Sequence, residues 1–256
     1  MTAASSLWRR PLELLAAFAA IAIAWDLYVR LSDAPAYLLP APLDVGAALI
    51  QSMQSGELAQ HLLYTLKNLM LGYVAGALLG VTSGATLAKS PRLEKILGGP
   101  ILFLQTAPKI ALAPLFVIWF GLGLASKIAL IISLVFFPVL IGTMVGLRSL
   151  DSRLGDLARL LKLNLWQRLW RIELRAGLPE IFVGLRIGAV QAVVGAILAE
   201  WMSGKQGLGY LMTFASATYK TPLLFGAVVL TALIGVAVYQ IVETIEKRLL
   251  AWRDAP

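Results

Sequence analysis

The chain has 256 residues, 59% of them hydrophobic and 14% charged, with a net charge of +8. Soluble chains average about 45–50% apolar and about 25% charged residues, so these few charges cannot cover a soluble surface, and lipid must be the solvent for much of the chain. The lack of cysteine excludes disulfides and thiol chemistry, and the single histidine, His61, cannot build a metal cluster alone.

Pro11–Leu31 is an apolar run of about 20 residues, the length of a full span. Arg9 and Arg10 precede it, but no small-residue cleavage pattern follows, so it reads as a retained first span and not a signal peptide. Ser32–Pro42 is proline-rich and cannot be helical throughout. Leu43–Met53 reads as an amphipathic helix on the outer, periplasmic surface. Together these make 1–62 an N-terminal unit ahead of a transmembrane core over 63–250. His61 lies in a polar juncture, 57–61, where a solvated or capping role is expected.

Leu63–Ala88 is the second span. Gly72, Gly76, Gly80 and Gly84 recur every fourth residue and share one face, where small residues let a neighbouring helix approach closely. A charged loop, Lys89–Lys95, follows. The third span, Leu97–Gly121, is interrupted by Gln105, Thr106, Pro108, Lys109 and Pro114. The prolines release backbone groups that must find protein or water partners, not lipid. Gly121–Lys127 reads as a tight outer turn, and Ile128–Leu147 as a fourth span bent near Pro138. Arg148–Arg175 is the longest charged stretch, with apolar residues along one stripe. Ile181–Met202 is the fifth span, Ser203–Pro222 a polar outer segment, Leu223–Val242 the sixth span, and Glu243–Arg253 a charged tail.

An inner N-terminus puts fifteen lysines and arginines on inner segments and five on outer ones: Arg30, Lys67, Lys127, Lys205 and Lys220. The positive-inside rule therefore places both ends in the cytoplasm. The same pattern explains the basic balance without nucleic acid. The predicted fold class is an all-α polytopic membrane protein with six transmembrane helices.

No glycine-rich phosphate loop of the Walker type occurs, so no ATP site of that kind is expected in this chain. Nor do the polar residues in the spans form a catalytic set, and no enzyme, resident cofactor or metal site is expected. Intramembrane charges are costly and usually face a bundle interior or an aqueous path. Lys109 and Glu200 therefore either line a route for solute or neutralise each other. Gln105, Thr106, Pro108, Ser133, Thr143 and Gln191 are the accompanying path candidates, although such polar residues also hold helices together. In the long inner segment, Leu157, Leu160, Leu161, Leu165, Trp166, Leu169 and Trp170 exceed what a solvated loop needs. That pattern fits a helix docking into a partner's groove and equally an interfacial helix lying on headgroups.

Asp156-Leu-Ala-Arg-Leu-Leu-Lys162, followed by Gly177-Leu-Pro179, resembles the EAA loop of ABC-importer permeases. Asp156 stands for the family's glutamate, Leu157 for its first alanine, Ala158 is kept, and Lys162 replaces its glycine. Pro108-Lys-Ile-Ala-Leu-Ala-Pro-Leu-Phe-Val-Ile-Trp-Phe-Gly121, with Gly123 and Ser126-Lys-Ile128, resembles the nitrate/sulfonate/taurine/bicarbonate branch. So do Leu39-Pro-Ala-Pro42, Thr65-Leu66 near Gly72, Gly184-Leu-Arg-Ile187, Ala199-Glu200 and Gly207-Leu-Gly-Tyr210.

The resemblance implies the MetI-like type I importer permease fold in the bacterial inner membrane. It implies a second permease subunit as in a homodimer, two cytoplasmic ATPases carrying ATP and Mg, and a periplasmic or lipid-tethered binding protein. It makes 148–178 the coupling loop, with Asp156, Leu157, Ala158, Leu160, Leu161, Lys162, Leu165, Trp166 and Trp170 meeting the ATPase. The branch carries nitrate, bicarbonate, taurine, alkanesulfonates, riboflavin and thiamine-pyrimidine precursors. Phe136-Phe-Pro138 leans toward the vitamin precursors and Lys109 toward anions. A secondary transporter working alone predicts paired broken helices in inverted repeats, and only one broken span is visible. A membrane scaffold explains the docking segment but not Lys109.

Overall fold

The computed structural model describes residues 4–32, 35–149 and 160–252. These are helical, and no strand occurs among them. The elements are α1 (Ala4–Ser32), α2 (Pro42–Gln54), α3 (Glu57–Lys89), α4 (Pro91–Thr106), a 3₁₀ turn (Lys109–Leu112), α5 (Ala113–Phe120) and α6 (Leu124–Arg148). Further along the chain come α7 (Leu165–Arg168), a π turn (Leu169–Glu173), α8 (Leu174–Ser203), α9 (Leu208–Ala217) and α10 (Thr221–Leu249). Among the described residues, four helical stretches are long and apolar enough to cross a membrane: Glu57–Lys89, Leu124–Arg148, Leu169–Met202 and Thr221–Leu249. The pair Pro91–Thr106 and Lys109–Phe120, bent by 90°, makes five if it is one span. The remaining expected span, Pro11–Leu31, falls within α1.

Two sequence expectations are corrected. The charged loop expected at Lys89–Lys95 shrinks to Ser90. Its hydroxyl accepts from the Leu93 amide at 3.4 Å, and Pro91 takes the first position of α4, where its missing N–H is not needed. The polar segment expected at Ser203–Pro222 contains α9. Leu208, Leu211, Met212 and Ala215 repeat at helical spacing, and all four are buried.

The chain divides into two units. The first is Met1–Gln60 with Leu211–Leu230. In it the Trp25 and Phe225 rings stand 5.8 Å apart, Leu49 fills the space beside Gly226, and the Thr221 hydroxyl donates to the Tyr37 carbonyl at 2.8 Å. Helix α2 starts with Pro42 and carries Asp44 in its first turn, where an acidic group favours the helix dipole.

The second unit is His61–Tyr210 with Thr231–Pro256. Its centre is helix α6. A Cβ added at Gly72 would lie 2.5 Å from Ile131, at Gly76 2.8 Å from Val135, at Gly80 2.7 Å from Val139, and at Gly84 2.5 Å from the Leu140 carbonyl. Helix α6 thus fills the trough these glycines leave along α3. On its other side, α6 meets α8 backbone to backbone: Gly142 faces the Glu180 carbonyl, and Gly146 and Gly177 face each other. A smaller cluster of Ala113, Leu130, Leu134 and Ala199, with Phe116 and Leu198 against it, seats α5.

Candidate functional site

Helix α4 stops at Thr106 because Pro108 bars the preceding residue from helical backbone. The carbonyls at its end still need donors. The Lys109 ammonium takes the Gln105 carbonyl at 2.6 Å, and the Thr106 hydroxyl takes that of Phe103 at 3.0 Å. A cation at a helix C-terminus also suits the dipole. The break is therefore satisfied from within.

Beside it lies a cavity of about 430 Å³, lined by Gln105 and Lys109, by Leu134, Phe137, Pro138 and Ile141 of α6, and by Glu180, Gly184, Ile187 and Gln191 of α8. The Lys109 ammonium sits 5.2 Å from the centre of the Phe137 ring, within the range where a cation is attracted to the ring face. One cation, two amides, one carboxylate and an aromatic face converge here on otherwise apolar walls. Such a mix can hold one small solute and fix its orientation.

Of the path candidates, Gln105, Lys109 and Gln191 are brought together here, and Pro108 shapes the break. Thr106 caps α4. The Ser133 hydroxyl donates to the Leu130 carbonyl in its own helix at 2.7 Å. Thr143 is fully buried, bonds the Val139 carbonyl at 2.8 Å, and packs where Gly84 leaves room. It is a packing residue, not a cavity residue. Phe137 and Glu180 were not singled out in the sequence as lining residues. Their signal was helical register: Phe137 lies four residues before Ile141, and Glu180 four before Gly184, on the faces that α6 and α8 turn to the cavity.

Glu200 belongs elsewhere. Its side chain is 1% exposed. Oε2 accepts from the Thr65 hydroxyl at 2.9 Å and from the Gly209 amide at 3.0 Å, and Oε1 faces the Asn68 amide at 3.5 Å. Thr65 in turn accepts from the Leu208 amide at 2.8 Å, so these two side chains take backbone donors at the start of α9. Gly207 has φ +108°, and a Cβ there would overlap the Glu200 carboxylate. His61 Nδ1 accepts from the Gly207 amide at 3.0 Å, which is its capping role.

Among the described residues, no hydrogen bond or ion pair joins Lys109 to Glu200. The buried cation Lys127 is held instead by Tyr64, the chain neighbour of Glu200's partner Thr65. Lys127 is 2% exposed and donates to the Tyr64 hydroxyl at 2.8 Å, although the sequence placed it on an outer turn. Helix α6 begins at Leu124, which carries Lys127 into its buried first turn. The expected alternatives for the Lys109 and Glu200 pair both change: they neither pair with each other nor share a cavity.

Asp156, Leu157 and Ala158 of the expected coupling loop lie outside the described residues. Leu160, Leu161 and Trp170 present their apolar side chains to the exterior at 81%, 58% and 61% exposure. Leu165 and Trp166 fall on α7. Lys162 has φ +46°, in the left-handed region that favours glycine. At the position where the resembled loop has glycine, this chain thus has a lysine in a glycine-favouring backbone. Asn164 and Gln167 start the following helix reciprocally: the Gln167 amide donates to Asn164 Oδ1 at 2.8 Å, and the Asn164 amide to Gln167 Oε1 at 3.1 Å. This is a capping box, and its Asn-x-x-Gln spacing was legible. Glu173 went unnoticed. It is 1% exposed and clamped between Lys89 and Arg168, the latter at 2.7 Å. It ties the start of α8 to the end of α3, and Arg148 ties the end of α6 to Glu94 of α4.

Comparison with known proteins adds family evidence. Residues 72–251 match the model of the binding-protein-dependent transport system inner membrane component family. The chain is 35% identical over 228 residues to the riboflavin transport system permease protein of Chloroflexus aurantiacus, covering 89% of this chain and 85% of that protein. It is 31% identical over 236 residues to the formylaminopyrimidine transport permease protein of Halalkalibacterium halodurans, covering 92% and 94%. With the taurine transport system permease protein of Escherichia coli it shares 30% identity over 255 residues, covering 96% and 93%.

Proposed function

We propose, from the premise that this chain belongs to the family of binding-protein-dependent transport system inner membrane components, that it forms one half of a solute pathway driven by a separate ATPase. It is a multi-pass inner-membrane permease, and its work is transport and not catalysis. In the proposed assembly, two copies enclose the route and two cytoplasmic ATPases supply ATP and Mg. A periplasmic or lipid-tethered binding protein delivers the solute. The proposed topology has six spans with both termini in the cytoplasm, which would put 148–178 on the ATPase side.

The observation that carries the proposal is the cavity at the break between α4 and α5. There Lys109, Gln105 and Gln191, from separate parts of the chain, line one space of about 430 Å³. An ammonium beside an aromatic ring suits a solute with an anionic group and a compact or flat body. Taurine, another sulfonate and nitrate match the ammonium, and the flat ring of a thiamine-pyrimidine or riboflavin-type precursor matches the aromatic face of Phe137. The similar permeases named for riboflavin, formylaminopyrimidine and taurine span the same range.

The test is solute-stimulated ATP hydrolysis and uptake in liposomes holding this chain, its ATPase and its binding protein. Lys109→Ala is expected to lower uptake about tenfold, a typical loss for one charge-assisted contact, with the complex still assembled. Lys109→Arg is expected to retain most uptake. Unchanged uptake in Lys109→Ala leaves the lysine only as the cap of α4. Uptake by this chain alone, driven by an ion gradient, sinks the ATP-driven proposal.

A further inference from the structure

Away from the cavity, a second groove of about 830 Å³ has apolar walls of Ile172, Ala176, Leu178 and Leu249, with Arg171, Arg175 and Trp252 beside them. Two apolar stretches that run the length of a span end here: Leu169–Met202 begins at this point and Thr221–Leu249 finishes. The groove therefore opens where hydrocarbon gives way to headgroups. Trp252, 57% exposed, is of the residue type that settles at that level.

Among the described residues, no carboxylate compensates the charge at the groove. Arg171 and Arg175 are exposed, and among the described residues neither has an ion pair. Nearby carboxylates are engaged elsewhere: Glu173 by Lys89 and Arg168, Glu246 by Arg186, and Glu243 by Lys247. Spaced four apart, the two guanidiniums lie on one face of the helix, and each presents a planar fork of donors suited to a phosphate. Basic pockets between transmembrane helices that have apolar walls hold anionic lipid headgroups.

We propose that this groove is a binding site for an anionic glycerophospholipid of the surrounding membrane. Its phosphate lies between Arg171 and Arg175, and an acyl chain lies along Ile172, Leu178 and Leu249. The proposal is independent of which solute is carried and of the ATPase, so it stands or falls apart from the transport reading.

The test is native mass spectrometry of the full chain in mild detergent, titrated with phosphatidylglycerol or phosphatidylcholine. Phosphatidylglycerol is expected to be retained roughly thirtyfold better, the effect of two arginines near an anionic headgroup. Arg171→Gln with Arg175→Gln is expected to abolish that preference, and Arg171→Lys with Arg175→Lys to keep most of it. Leu178→Trp fills the apolar wall and is expected to weaken phosphatidylglycerol with both arginines in place. Variants are compared only where they elute with the wild-type profile, and the lysine pair guards against a folding defect. Equal retention of the two lipids by the wild type overturns the proposal, as does an unchanged preference in the glutamine pair. Displacement of the lipid by inorganic phosphate at equal concentration makes this a free-phosphate site instead. Loss of a partner subunit in the glutamine pair with lipid retained makes it a protein-docking surface, and that also overturns the proposal.

Discussion

Glu200 is costly to bury, and it persists because each oxygen faces a donor. Removing it strands those partners. Glu200→Ala is expected to destabilise the chain by about 3 kcal/mol, the range for breaking a buried charged network, as a lowered melting temperature in detergent. Gly207→Ala should move in the same direction, because a Cβ there meets the same carboxylate. If either variant melts with the wild type, the buried knot is not holding α9. Lys162 is the opposite case. Its left-handed backbone, φ +46°, costs a non-glycine residue about 1 kcal/mol. Lys162→Gly is therefore expected to stabilise the turn by about 1 kcal/mol, seen as slower proteolytic cleavage near 160–164. Faster cleavage would show that the lysine side chain, and not the backbone shape, sets this turn.

Elements meet in this protein where side chains are missing. Helix α3 offers α6 a line of four glycines, and α6 offers α8 Gly142 and Gly146, so three helices approach at backbone distance. Lipid tails give no hydrophobic drive for helix association, which leaves close packing to supply it. Gly84→Leu, placed against the Leu140 carbonyl and Thr143, is expected to force α3 from α6 and lose the folded chain in detergent gel filtration. Gly98→Ala is the control, because a Cβ there meets nothing within 4 Å. It should fold normally and gain about 1 kcal/mol of helix propensity. The two substitutions behaving alike would mean that the glycines do not set this packing. The four-residue spacing on α3 was plain in the sequence. The facing pairs on α6 and α8 needed the structure, because two glycines four apart are common in apolar helices and do not name a partner.

At the scale of the molecule, the apolar Leu160 and Leu161 stand outside the fold with Trp170, which is a poor arrangement for a chain that works alone. Leu160→Asp with Leu161→Asp is expected to abolish co-purification of the ATPase while membrane insertion continues. Retained co-purification would return the segment to the headgroup surface. The sequence by itself determined the membrane class and the break at Pro108 between two apolar helices. Each follows from composition or from proline chemistry, which act along the chain without regard to distant residues. It also carried the glycine stripe and the capping box at Asn164, whose physics is confined to one helix. Only the tertiary structure decided where each intramembrane polar residue goes. It sent Lys109 to the cavity with Gln105 and Gln191, and Glu200 to Thr65, Asn68 and the start of α9, and it placed Thr143 in a helix interface. Burial in lipid demands that every such group find a partner, and the partner is set by which helices come together, which a single residue's position along its own helix does not encode.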